Sequence, residues 1–175
     1  MTIRITASMV QALRARTGAG MMDCKRALEA SAGDLDRAAE AMRKSGQIEA
    51  EKKSHRIAAE GLIVIKSKTV QGPAVILEIN CETDFVARDE NFKQFAERTA
   101  QSALDYELTD LAQVLAFTFP DSCESVEKTR ESLVAQLGEN IQVRRLKVIA
   151  AQTDGVLGSY VHRGRIGVVV QLKGG

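Results

Sequence analysis

Between residues 6 and 45 the apolar positions fall into three short stretches at helical spacing. Met9, Val10 and Leu13 share one face of the first, which Thr6 or Ser8 can cap. Thr17-Gly18-Ala19-Gly20 ends it, the glycines supplying backbone angles that other residues resist. A second helix is expected through Asp23 to Ala30, burying Ala27 and Leu28, before Gly33-Asp34 breaks and recaps the chain. The third places Leu35, Ala38, Ala39 and Met42 on one side and is expected to end at Ser45-Gly46.

Residues 47–60 are polar and charged, with Lys52, Lys53 and Arg56 among glutamates, and read as a helical linker. The period then shortens to that of strands. Leu62-Ile63-Val64-Ile65 and the run from Ala74 to Ile79 are β-branched and flank Gln71-Gly72-Pro73, a hairpin signal. Helical spacing returns at about Asp89, with Phe92, Phe95, Ala96, Ala100 and Ala103 on one stripe. A further helix is expected from about Cys123 to Leu137, led in by Pro120-Asp121-Ser122, and the alternation from Ile141 to Ile149 is that of a half-buried strand.

An internal echo follows. Glu60-Gly61-Leu62, a strand, a turn and the run from Val75 to Ile79 resemble Asp154-Gly155-Val156, a strand, a turn and the run from Val168 to Leu172. No helix follows this second hairpin before Gly174-Gly175, and a hairpin is marginal alone, so it is expected to add to the first sheet. The pattern predicts an α+β fold: a three-helix unit (1–46), a linker (47–60), a ββ-helices-β unit with an antiparallel sheet (61–152) and the opening hairpin of a second, incomplete unit (153–175). A fragment or a shortened variant of a longer protein is the expectation.

Composition narrows the chemistry. The 175 residues are 45% apolar but only 4% aromatic, so the core is built from aliphatic side chains. A net charge of +1 gives no global field toward nucleic acid or anionic lipid. Cys24, Cys81 and Cys123 have no zinc-ligand spacing, and His55 and His162 are the only histidines, so no metal site is expected and the thiols read as reduced. No apolar run approaches the roughly 20 residues of a membrane helix. Met1 leads straight into a helical pattern, so a cytoplasmic protein without a targeting segment is the expectation.

Two segments carry a family resemblance: Thr17 to Lys25 (TGAGMMDCK) and Asn80 to Arg88 (NCETDFVAR). Both closely resemble the signature segments of elongation factor Ts, in order and separation. Agreement continues through Ala58 to Gly61, Gly138 to Ile141 and Gly158 to Tyr160, covering nearly the whole chain. The resemblance implies a guanine-nucleotide exchange factor whose partner is the GTPase elongation factor Tu, with no cofactor and no direct nucleic-acid or membrane partner. Self-association is left open. It implies that Thr83, Asp84, Phe85 and Val86 disturb the partner's magnesium ion and phosphate loop, with Phe85 as a wedge. It implies further that Leu13, Arg14, Met21 and Met22 contact the nucleotide-binding domain, and that His162 lies near another contact surface. The first three helices resemble a ubiquitin-associated (UBA) domain, so an adaptor module is the alternative reading.

The residues themselves are consistent with an indirect action on nucleotide. Glu78, Glu82, Asp84, Asp89 and Glu90 stand against Arg88 alone, and no glycine-rich phosphate loop occurs. An acidic turn cannot cradle phosphate, so if the protein affects a nucleotide it must act through another protein. Read locally, Phe85 is either a core aromatic stapling the next helix or an exposed ring outside the Phe92 stripe. Thr83 and Asp84 are helix caps or contact residues, and Met21 and Met22 fill the bundle or face outward. His162 reads locally as a solvated turn residue. Cys81 or Cys123 as an enzymatic nucleophile lacks any supporting His or Asn constellation.

Overall fold

The computed structural model describes residues 4–151 and 154–173; the expected boundary at 152/153, residues 1–3 and Gly174-Gly175 lie outside them. The N-terminal helices are α1 (Ala7–Thr17), α2 (Met21–Ala30) and α3 (Leu35–Lys53). Thr6 caps α1 by accepting from the Met9 amide, and the Asp34 carboxylate caps α3 through the Asp36 and Arg37 amides. Val10, Leu13, Cys24, Leu28 and Ala38 form a buried cluster of their own, as short amphipathic helices must if they are to hold one another. Cys24 rather than Ala27 is the fully buried partner of Leu28 on α2.

Helix α3 does not stop at Ser45-Gly46. It runs for 19 residues, taking up the first part of the expected linker, and its Gly46 is buried. The reason is packing: Gly46 faces the Glu131 backbone and the Ala135 side chain of a later helix.

The remaining elements are β1 (Glu60–Ser67), β2 (Ala74–Cys81), α4 (Asp84–Ala87), α5 (Glu90–Asp105), α6 (Leu111–Ala116), α7 (Val126–Leu137), β3 (Gln142–Ile149), β4 (Gly155–His162) and β5 (Ile166–Lys173). Strands β1, β2 and β3 form an antiparallel sheet in that order, with Val64 opposite Leu77 and Leu77 opposite Leu146. The sheet's inner face, Val64, Val75, Leu77 and Ile79, packs on the predicted α5 stripe of Phe92, Phe95, Ala96, Ala100 and Ala103. The fold is α+β.

Two elements depart from the sequence pattern. The one-and-a-half-turn α6 was not expected, being too short to show a period. Helix α7 begins after Ser125 rather than at Cys123, because the chain first doubles back: Thr118 pairs with Ser125, and Phe119 between them is buried.

The β4–β5 hairpin corrects a third expectation, since it does not add to the first sheet but forms a two-stranded sheet of its own. It lies over the outer face of β1 and β2, where a methyl on Gly167 would meet Ile63, Ile76 and Ile65. Two backbone hydrogen bonds, Ile63 amide to Gly164 carbonyl (2.7 Å) and Leu157 amide to Val70 carbonyl (2.6 Å), tie it to the preceding chain, with Gln171 Nε2 donating to the Ala150 carbonyl (3.2 Å) and Arg165 paired with Glu60 (2.5 Å). Covering three isoleucines removes more apolar surface from water than edge pairing alone would. On its far side Val156, Tyr160, Ile166, Val168, Val170 and Leu172 are exposed.

Candidate functional site

The acidic turn between β2 and α5 is held from both ends. Thr83 is the N-cap of α4, its hydroxyl accepting from the Val86 amide at 3.4 Å. That hydroxyl also donates to Glu139 Oε1 at 2.6 Å. The Glu82 and Thr83 amides both donate to Glu139 Oε2, each at 3.0 Å. In the opposite sense, the Asn140 amide donates to Glu82 Oε1 at 2.6 Å. Asn140, almost fully buried, reaches on through Nδ2 to the Arg56 carbonyl at 2.7 Å and the Ser54 carbonyl at 3.3 Å. Three chain segments remote in sequence thus meet at the base of one turn.

Helix α4 is a single turn, and adjacent helical residues point to different sides. Val86 and Ala87 go inward to the main core, while Phe85 goes outward and is 79% exposed. A large aromatic ring held in water on a clamped turn suits a partner surface. Asp84 is not a free carboxylate: Arg88 Nη2 lies 2.7 Å from its Oδ2. Such an exposed pair contributes at most about 1 kcal/mol and can open when a partner competes. Beside the turn, the buried Cys81 thiol donates to the Thr83 carbonyl at 3.2 Å. Burial pushes that thiol up to about 12, and the Glu139 and Glu60 carboxylates push the same way.

Of the residues expected in the N-terminal unit, Arg14, Met21 and Met22 are exposed around the α1–α2 turn, both methionines by more than half. Leu13, on the apolar face of α1, is fully buried against α2 and α3. Val86 is likewise inside, so within Thr83–Val86 only Phe85 projects a whole side chain, with Thr83 and Asp84 half-buried. His162 ends β4, exposed, with Nδ1 3.0 Å from the Tyr160 hydroxyl. These residues do not converge on a pocket. An open cleft of about 940 Å³ between the helical unit and α7 is lined by Arg16, Asp23, Glu40 and Gln136 among others, and by none of them.

Glu139 and Asn140 are the residues that local sequence reasoning left without a role. The signal was present in the Gly138 to Ile141 segment, but nothing in a single sequence says that it touches Glu82 and Thr83. Among the described residues no group of three or more His, Cys, Asp or Glu is placed to hold a metal ion, and no helix is long and apolar enough to cross a membrane.

Fold and site together are an α+β chain whose exposed candidate side chains sit on surface turns. A family model described as elongation factor TS matches residues 82–175. Elongation factor Ts of Thioalkalivibrio sulfidiphilus (strain HL-EbGR7) is 51% identical over 171 residues, covering 98% of this chain and 58% of the relative. Elongation factor Ts of Francisella tularensis subsp. novicida (strain U112) is 52% identical over 171 residues, 98% of this chain and 57% of the relative. That of Xanthomonas oryzae pv. oryzae (strain PXO99A) is 51% identical over 173 residues, 99% and 58% respectively. The chain belongs to the elongation factor Ts family, and it spans somewhat more than half the length of these curated relatives.

Proposed function

We propose that this chain is a guanine-nucleotide exchange factor of the cytoplasm, binding elongation factor Tu in its GDP state and promoting GDP release so that GTP can bind during translation elongation. The observation that carries the reading is the 79% exposed Phe85 ring, presented on a turn that the rest of the fold holds in place. Phe85 enters a partner pocket near the bound magnesium ion, and Asp84 exchanges Arg88 for partner groups. Magnesium demands near-ideal octahedral ligation, so a small displacement of its ligands weakens it considerably. Arg14, Met21 and Met22 supply a second contact from the helical unit, methionine being an adaptable contact surface. His162 supplies a third, on the hairpin. The helical unit, the sheet unit and the β4–β5 hairpin are thereby separate handholds on one partner.

The energetics are modest. A thousandfold acceleration of release needs about 4 kcal/mol of differential interaction between the nucleotide-bound and nucleotide-free partner. Burying a phenylalanine supplies roughly 1.5–3 kcal/mol of this, and displaced metal and phosphate-loop contacts supply the rest. No covalent step is required.

The test is stopped-flow release of fluorescent GDP from elongation factor Tu with the 175-residue chain and its Phe85→Ala variant. The expected result is acceleration by the chain and a loss of at least about tenfold in the variant, the rate equivalent of roughly 1.4 kcal/mol. Equal rates with both proteins would remove Phe85 from the mechanism.

A further inference from the structure

Helix α4 has four residues, too few to hold itself. What fixes it must come from outside, and the atoms that do so are few. The Glu82 and Thr83 amides and the Thr83 hydroxyl converge on one carboxylate, that of Glu139, at 3.0, 3.0 and 2.6 Å. Charge-assisted bonds of this kind are roughly twice as strong as neutral ones. Glu139 is itself well placed to act as an anchor. It follows Gly138, the left-handed cap that ends α7, and precedes Asn140, whose backbone and side chain bond Glu82, Arg56 and Ser54.

We propose that Glu139 is a positioning residue for partner binding: its carboxylate sets the start of α4 so that Phe85 already points outward before a partner arrives. This rests on the reading of Phe85 as the residue that enters the partner. Glu139 touches no nucleotide and no partner group; it acts through the Thr83 cap. Its contribution is preorganisation, since a turn already ordered loses less freedom on binding than one that must be ordered in the complex. A purely structural role, stapling β2 to the α7–β3 loop for stability, would lower stability without any special link to Phe85.

Two measurements separate these roles. The first needs no partner: amide hydrogen exchange on the full chain and on Glu139→Gln. Gln keeps the size but offers one acceptor oxygen where the carboxylate offers two. The Ala87 and Arg88 amides, bonded to the Thr83 and Asp84 carbonyls, are expected to exchange at least about tenfold faster in the variant, with α5 unchanged. Unchanged exchange in α4, or an equal increase through α5, overturns the proposal. The second is a double-mutant cycle on GDP release from elongation factor Tu, with Glu139→Gln and Phe85→Ala. Glu139→Gln is expected to slow release by about fivefold or more when Phe85 is present and by less than about twofold when it is Ala. The same loss in both backgrounds overturns the positioning role while leaving the exchange reading intact. A Phe85→Ala variant that releases GDP as fast as the parent removes Phe85 from the mechanism and takes the functional half of this inference with it, whatever the α4 exchange in Glu139→Gln. Asn140→Ala, which removes the side-chain anchor but not the carboxylate, is expected to show a weaker version of both effects.

Discussion

Gly46 on α3 lies against the backbone carbonyl of Glu131 on α7. A methyl group at Gly46 would sit 3.4 Å from that oxygen and 3.7 Å from the Ala135 methyl, which is ordinary contact distance. The glycine therefore marks the crossing of two helices, and through it the N-terminal helices are joined to the sheet unit. Gly46→Ala is expected to fit and, by raising helix propensity, to stabilise the chain by up to about 1 kcal/mol. Gly46→Leu would overfill the crossing and cost roughly 1–3 kcal/mol. Chemical denaturation of both variants checks this, and a destabilised alanine variant would mean the crossing is tighter than described.

The same glycine shows where sequence reading stops. In isolation Ser45-Gly46 has the form of a helix terminus, and only α7, some 80 residues on, explains why the helix continues. The caps at Thr6 and Asp34, the return of helical spacing at about Asp89 and the Phe92–Phe95–Ala96 stripe were legible because their physics is local. Phe85 was not legible in the same way. Whether it is core or surface depends on Glu139 and Asn140 arriving from 56 to 58 residues away. The hairpin's position was hidden for a related reason: the alternation of Ile63, Ile65 and Ile76 with the inner-face residues reads as a strand wherever the cover comes from.

Leu13 and the Met21–Met22 pair should separate stability from binding. Leu13 is fully buried, so Leu13→Ala is expected to cost about 2–5 kcal/mol and to weaken partner binding only by loosening the helical unit. Met21→Ala and Met22→Ala, at exposed positions, are expected to leave stability within about 0.5 kcal/mol and to weaken binding of nucleotide-free elongation factor Tu. Thermal melts beside titration calorimetry decide it; methionine variants that melt early would place these side chains in the bundle core.

Gly61 couples the first hairpin to the site. Its φ of 145° is a conformation that side-chain-bearing residues rarely adopt. A methyl there would also overlap the Ile79 carbonyl oxygen and press on the Asn80 backbone. Asn80 in turn donates from Nδ2 to the Glu60 carbonyl at 3.0 Å. Gly61→Ala is expected to destabilise by at least about 2 kcal/mol and to disturb the end of β2 from which the acidic turn springs. Measured stability within error of the parent would show that β1 can shift to admit the methyl.

The thiols carry a pH signature. Cys123 is exposed whereas Cys24 and Cys81 are buried, so a disulfide reagent at neutral pH should modify one thiol quickly and the other two only on unfolding. Cys81 holds its proton to about 12 in the folded chain, against an ordinary thiol value of about 8.5 when unfolded. The folded state thus binds more protons between those values. The stability linked to this group is complete below the ordinary value and is lost as pH rises through the window toward the folded one. Denaturation midpoints measured across that window should fall more steeply for the parent than for Cys81→Ala. Parallel slopes would mean that neither burial nor the Glu139 and Glu60 carboxylates keep the folded thiol from ionising as readily as the unfolded one.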